Sequence, residues 1–301
     1  MQKRLQYKSM PTPSCDNTGG SIMKKLCIYH ANCADGFGAA WIVRKYLGEE
    51  QVEFHAALHH REPPDVTGRE VIMVDFSYPR PVMEQLLNKA EYILLLDHHI
   101  TARNDLAGFE HPKLMAVFDM ELSGVGVTWR HFFPGQPMPK LLAHVQDMDL
   151  WRFGLSGTRE VMSAVHSHPY DFAAWDQLME SSPRRFMREG EVLRRARDKE
   201  VNDMLGPTGI APRFIQLGAE RVRGPAYNVP FMFSGVANKA AETHPFAATY
   251  WISGERVKFS LRSRGDDGVD VAALAQQYGG GGHIHAAGFE LQLPDALKIL
   301  H

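Results

Sequence analysis

Apolar residues in the first half of this chain come in short, nearly unbroken runs that stop abruptly on polar side chains. The clearest are Leu26–Tyr29 in KLCIYH, Val71–Val74 in EVIMVD and Tyr92–Leu96 in EYILLLDHHIT. Runs this short make poor helices, and their lack of alternation predicts strands buried on both faces. Glu53–Ala57 and Met115–Phe118 predict two further strands. Between them, Ala39–Leu47, closed by Gly48, and Pro81–Lys89, with proline in its first turn, read as helices. Ala31–Gly38, ANCADGFG, reads as a glycine-containing loop. Strands and helices alternating in units of about 30 residues predict βαβ crossovers and a parallel sheet.

Further along, Ser123–Phe133 reads as a helix begun by a serine cap and ended by Pro134. Pro139–Met148 and Asp171–Glu180 also read as helices. Arg188–Leu205, dense in alternating charge, predicts a long exposed helix suited to join two domains. From Arg213 the texture changes to β-like runs at Phe214–Leu217, Phe231–Phe233, Ala247–Ile252 and Val257–Arg262. A helix at Val269–Tyr278, the glycines Gly279–Gly282 and a strand near Ala287–Leu291 follow. The expected fold is α/β: an N-terminal domain with a mostly parallel sheet flanked by helices, joined by a helical linker to a smaller C-terminal α/β domain. The expected boundaries are a flexible extension over 1–23, a catalytic domain over 24–182, a linker over 183–210 and a substrate-binding domain over 211–301.

Composition narrows the function classes. The 301 residues are 44% hydrophobic and 23% charged, with a formal net charge of −2, as in an ordinary globular protein. No strongly basic domain offers the long phosphate footprint of a processive nuclease, so no long duplex nucleic acid is expected as a partner. Cys15, Cys27 and Cys33 lack C-x-x-C spacing, so neither a disulfide framework nor a structural zinc site is expected, and the compartment reads as reducing and cytoplasmic. No apolar run reaches the ~18 residues needed to cross a bilayer, and the first residues lack a secretory signal.

Fifteen histidines outnumber the three cysteines, which points candidate metal chemistry toward imidazole and carboxylate. Three successive strands end in such residues: His30 with Asp35 just beyond, then Asp75, then Asp97, His98 and His99. In a parallel sheet these tips lie along one edge, where open α/β sheets hold their ligands. Asp147 or Asp149, in QDMDLWRF, is a further contributor. A His/Asp set suits two divalent cations of the Mn²⁺ type sharing a bridging aspartate. Two such ions ~3.5–4 Å apart activate water and clamp the oxygens of a phosphoryl group.

HANCADGFGAA, VDFS, LLLDHH and the distant GGGGHIHAAGF resemble the DHH superfamily of phosphoesterases, in the family's order, from about Lys24 to the end. The last motif resembles the DHH-associated C-terminal domain of its RecJ-like, oligoribonuclease-like and exopolyphosphatase-like members. The resemblance implies a Mn²⁺-dependent hydrolase with one or two ions, Mg²⁺ or Co²⁺ being substitutes. It implies His30 and Asp35 on one metal, Asp75 bridging, and His98 with Asp147 or Asp149 on the second, Asp147 being the better match. Asp97 would orient a neighbouring imidazole, and His99 would face the scissile phosphate or the leaving group. Arg262, Gly280, Gly281, Gly282, His283, His285 and Asn238 would hold a terminal phosphate across an inter-domain cleft.

One departure stands out. The family's first motif usually reads D-x-D, and two residues beyond Asp35 this chain has Phe37. Asn32, Asp149 or water would have to fill the gap, or the second site is weak; Phe37 itself reads as a packing residue. The expected substrate is a short oligonucleotide, a nucleotide or polyphosphate, cleaved at a phosphodiester, phosphomonoester or phosphoanhydride bond. The alternative, motivated by Phe37, is a non-catalytic phosphate-ligand sensor with a degenerate metal site. A homodimer is compatible with the sequence and no membrane partner is expected. Trp129, Trp151, Trp175 and Trp251 read as core or interface, the Arg184–Arg197 run as a solvated helix face, and His59, His60, His166 and His168 as structural.

Overall fold

A computed structural model describes residues 24–59, 61–265 and 268–301. The expected N-terminal extension, with Cys15, and His60 lie outside the described residues. The first sheet is made of β1 (Lys25–His30), β2 (Val52–Ala57), β3 (Glu70–Val74), β4 (Tyr92–Asp97) and β5 (Leu114–Phe118). The helices among them are α1 (Ala34–Leu47), α2 (Arg80–Lys89) and α3 (Ile100–Asp105). Strand order is β2-β1-β3-β4-β5 and every pairing is parallel.

The unbroken apolar runs have their reason in this sheet. Cys27, Ile72, Val74, Leu94 and Leu96 bury on one face with Phe37, Trp41, Val125 and Trp175. Leu26, Ile28, Val71, Met73, Ile93 and Leu95 bury on the other, with Met83, Leu86 and Leu87 of α2. Each fully buried aliphatic side chain of this kind contributes on the order of 2 kcal/mol. Both faces are covered, so no polar alternation was available to the sequence.

Five helices complete this half: α4 (Gly124–Phe132), α5 (Lys140–Asp149), α6 (Thr158–Val165), α7 (Phe172–Glu180) and α8 (Pro183–Leu205). A second sheet follows, with β6 (Arg213–Leu217), β7 (Val222–Asn228), β8 (Phe246–Ser253), β9 (Arg256–Ser263), β10 (Gly281–His283) and β11 (Ala286–Gln292). Its helices are α9 (Phe233–Ala241), α10 (Val271–Gln276) and α11 (Leu293–Ile299). The order is β10-β11-β9-β8-β7-β6, antiparallel except for the parallel β7–β8 pair. The α/β class, with a parallel N-terminal sheet and a smaller C-terminal mixed sheet, is as expected from sequence.

Two local expectations are corrected. Ala31–Gly38 is not a loop throughout: α1 begins at Ala34, so Asp35, Gly36 and Phe37 lie in its first turns. Gly36 permits this, since a Cβ there would lie 2.3 Å from the His30 carbonyl oxygen, which lets the helix start tight against the end of β1. Phe231–Phe233 is not a strand but leads into α9, with Met232 in the left-handed region at φ 55°. The strand in this region is β7, whose VRGPAYN contains a glycine and a proline that argue against a strand locally. Packing decides it: a Cβ on Gly224 would meet the Phe246 carbonyl oxygen at 2.5 Å.

The long helix α8 ties the halves together. Phe186 joins the N-terminal core, while Val201 packs with Val229 and Val236 beside the second sheet. Gly190 lets it lie directly on α6, because a Cβ there would fall 1.7 Å from the Glu160 carbonyl oxygen. Gly190→Ala must therefore push the two helices apart. The expected cost is about 2 kcal/mol, read as a lowered Tm in a circular-dichroism melt; an unchanged Tm would mean that α8 does not seat on α6 in this way.

Candidate metal centre

Parallel register sets the site. Tyr29 is level with Val74, and Val74 with Leu96, so His30, Asp75 and Asp97 stand level at the tips of three adjacent strands. These strands flank the point where the order reverses between β1 and β3, the usual ligand crevice of an open α/β sheet. Asp75 adopts φ 54°, a left-handed conformation that aspartate tolerates better than most residues.

The side chains converge. The His98 Nε2 lies 3.2 Å from Asp75 Oδ1, 3.4 Å from Asp149 Oδ2 and 3.6 Å from Asp35 Oδ2. On the far side of Asp75, its Oδ2 is 3.7 Å from His30 Nδ1. Asp75 thus turns one oxygen to His98 and the other to His30. The Asp75 Oδ1, Asp149 Oδ2 and His98 Nε2 atoms are buried and make no hydrogen bond. Buried polar atoms are almost always paired, and three orphans pointing at one another fit a cation better than any protein partner.

Electrostatics point the same way. The ligand atoms of Asp35, His98 and Asp149 all lie within 4.8 Å of one another. At that separation two carboxylates repel by roughly 3.5 kcal/mol at an effective dielectric of 20. Burial raises the Asp35 carboxyl well above its ordinary range, and Asp149 and Asp75 push it further. Burial likewise pushes Asp149 up to about 6, with the imidazole of His98 partly offsetting it. Burial opposes charge on His98, yet Asp75, Asp35 and Asp149 override it and carry the ring up to about 9. A divalent cation would relieve all of these at once, so the residues present fit a metal.

Asp35 carries a second load. It accepts from Ser123 Oγ at 2.7 Å, from the Val125 amide at 2.9 Å and from the Gly124 amide. The expected serine cap of α4 is therefore realised differently: Ser123 occupies the N-cap position but makes no cap bond of its own. The Asp35 carboxylate satisfies the free amides at that helix end, a favourable place for negative charge. Gly124 is needed for the approach, since a Cβ there would sit 2.5 Å from the Asp75 Cβ.

The structure separates the two downstream aspartates. Asp149 faces the cluster. Asp147 points away, accepting from the Gly154 amide at 2.8 Å, the Leu155 amide at 3.1 Å and the Thr158 hydroxyl, which stitches the loop between α5 and α6. Asp97 accepts from His99 Nδ1 at 2.7 Å and from the His98 amide at 2.7 Å, orienting the His99 ring. Burial opposes charge on His99, but Asp97 carries it up to about 10. Phe37 is buried away from the centre, against Tyr29, Tyr170, Phe172 and Trp175.

The second sheet closes over this edge. The His283 ring lies 5.1 Å from that of His99 and 5.7 Å from that of His98. Burial holds His283 neutral, and with His99 and His98 lowers it to about 4. A cavity of about 400 Å³ runs from His98 and Asp149 to Asn238, Arg262, His283 and His285. Arg262 is braced by Ser234 Oγ at 2.6 Å, the Leu261 carbonyl at 2.8 Å and Ser260 Oγ at 3.1 Å. Gly280, Gly281 and Gly282 do not line the cavity. Gly281 and Gly282 pair with β11, and a Cβ on Gly280 would meet the Gly288 carbonyl, so these glycines accommodate a neighbouring strand.

Sequence reasoning missed Trp151. It follows Asp149 by two residues, is half exposed, has φ 56° and lines the cavity with Ile284. Trp129 and Trp175 are buried in the core as expected, and Trp251 stacks on Phe233. The only sequence signal for Trp151 was its position just after a candidate ligand.

Residues 232–301 match the family model of the DHHA1 domain. The part of the resemblance read from GGGGHIHAAGF, to a DHHA1 C-terminal domain, is borne out by that match. An uncharacterized protein of Acanthamoeba polyphaga mimivirus is 29% identical over 291 residues, covering 87% of this chain. The chain spans 66% of that relative's length. Among solved structures, a pGpG-specific phosphodiesterase from Vibrio cholerae aligns at TM-score 0.49 and 14% identity, covering 92% of this chain and 96% of that one. RecJ in complex with Mn²⁺ from Thermus thermophilus aligns at TM-score 0.49 and 16% identity, covering 91% of this chain and 50% of that one. Among the described residues no helix is long and apolar enough to cross a membrane.

Divalent cation at a hundredfold excess over its Kd should stabilise the protein by about 2.7 kcal/mol, seen as a rise in Tm on Mn²⁺ addition. Asp149→Asn should remove most of that rise. Asp147→Ala should keep it while lowering the metal-free stability by about 2 kcal/mol. The reverse pattern would assign the ligand to Asp147.

Proposed function

We propose, taking the DHHA1 domain at residues 232–301 as premise, that this chain is a metal-dependent phosphoesterase acting on a small nucleotide or short oligonucleotide. The observation that carries the reading is the cavity joining His98 and Asp149 to Arg262, His283 and Asn238. One wall can hold cations and the opposite wall can hold an anion. Divalent cations, when bound, supply charge neutralisation and activation of water at phosphorus.

The chain's own groups do the rest. His30, Asp35, Asp75, His98 and Asp149 hold the cations, with Asp75 shared. Arg262 keeps its charge although burial lowers it to about 10, and its braced guanidinium presents a planar donor edge to a phosphate. His283, neutral, offers a hydrogen bond without repelling the cations. His99 is held by Asp97 in one orientation, placed to donate a proton to the leaving oxygen.

Trp151 and Ile284 favour a substrate that carries a base. An exposed indole at a cavity mouth offers a stacking face worth ~1–3 kcal/mol per base, which inorganic polyphosphate cannot use. Phe37, whose place in the first motif motivates the non-catalytic alternative, packs among four aromatic rings and supplies no ligand.

The test is Mn²⁺-supplemented hydrolysis of a panel: di- to pentanucleotides, cyclic dinucleotides, a 3′,5′-bisphosphate nucleotide and tripolyphosphate. His98→Ala should lower kcat/KM by roughly a hundredfold or more. Trp151→Ala should raise KM for the nucleotide about tenfold and leave tripolyphosphate unaffected. No turnover of any panel member by metal-loaded protein would overturn the reading.

A further inference from the structure

We infer that Cys33 supplies a sulfur ligand to the His30–Asp75 half of the centre, making it a mixed nitrogen, oxygen and sulfur site selective for a borderline, thiophilic cation. This rests on the metal reading above and goes beyond it in naming the donor and the ion class. Phe37, where the sequence departs from D-x-D, supplies no ligand. Phe37 is packed among four aromatic rings, whereas ligand atoms of His30, Cys33 and Asp75 lie within 4.8 Å of one another.

Backbone geometry brings Cys33 to the site. Asn32, at φ 57°, and Gly36, whose missing Cβ leaves room for the His30 carbonyl, bring the first turn of α1 against the tip of β1. Cys33 is the N-cap residue of α1 yet makes no side-chain cap bond, although that position usually holds an oxygen-bearing side chain for that purpose. Beside it, Asp75 is buried and turns its Oδ2 toward His30 Nδ1 at 3.7 Å. Asp35 faces the other half, with its Oδ2 3.6 Å from His98 Nε2 and its ligand atom grouped with those of His98 and Asp149.

The chemistry follows from donor softness. Thiolate prefers Zn²⁺, Co²⁺ or Fe²⁺ over Mn²⁺, while an all-carboxylate and imidazole set leaves Mn²⁺ competitive. On binding, the Cys33 S–H bond breaks, a sulfur–metal bond forms with the sulfur's electron pair, and the proton passes to solvent. No oxidation or reduction is involved. The bland reading is a small, half-buried side chain at a helix start; it predicts no sulfur–metal signature.

Co²⁺ titration of metal-free full-length protein, under argon with a phosphine reductant, separates the two. We expect a near-ultraviolet sulfur-to-cobalt charge-transfer band that saturates with bound metal, survives Cys15→Ser and disappears in Cys33→Ser. Cys33→Asp, which puts a carboxylate in place of the thiol, should also lose the band and should shift the Zn²⁺ over Mn²⁺ preference toward Mn²⁺ by about tenfold or more. Melts confirm that each variant folds. Cobalt bound with visible ligand-field bands but no charge-transfer band overturns the sulfur ligand and leaves the metal centre standing. A band persisting in Cys33→Ser also overturns it. No cobalt bound at all removes both.

Discussion

Unbalanced negative charge at the edge of a buried sheet is the constraint on which this molecule turns. Asp35, Asp75 and Asp149 surround one imidazole nitrogen at 3.2–3.6 Å, out of reach of bulk water. His98 brings at most one positive charge and the bonds at the start of α4 reach only Asp35, which leaves three carboxylates incompletely offset. The fold holds them there all the same, through a strand register whose slip by one residue would exchange side chains between two differently packed cores. Stabilisation from the two cores is set against electrostatic cost at the tips, as expected where a site is built for a charged ligand.

Several side chains carry both fold and site. Asp35 closes the N-terminus of α4 while facing His98, so helix docking and ligand position are one interaction. Gly124 and Gly36 are small because backbone and carboxylate pass within van der Waals distance of them. Asp97 is bonded to the amide of His98 and to the ring of His99, so one carboxylate sets the backbone turn after β4 and the direction of an imidazole. Damage at any of these positions would register in stability and in the centre together.

The C-terminal sheet contributes cation charge without repelling metal ions. Arg262 stays back on β9, tied to two serines and a carbonyl, while the histidine nearest the cluster, His283, is neutral. α8 spans both cores, which makes it the element through which the two walls of the cavity keep their spacing. Its arginines lie on a largely exposed helix face, in a chain of net charge −2.

Much of this was legible in the sequence. Unbroken apolar runs can only be strands covered on both sides, and their shared habit of ending on His or Asp located the centre. Near the chain's end, GGGGHIHAAGF identified the C-terminal domain. Local pattern failed where contacts distant in sequence decide. VRGPAYN forms a strand because Gly224 must pass Phe246. Asp147 and Asp149 differ only in which side of α5 they leave, and the donors of Gly154, Leu155 and Thr158 claim the first. Phe37 drew notice as a missing carboxylate, yet the side chain facing His30 and Asp75 is Cys33. Periodicity and residue type determine which elements form and which chemistry they carry. The direction each side chain takes at the end of an element is fixed by packing between segments far apart in the chain, and that only the tertiary structure decides.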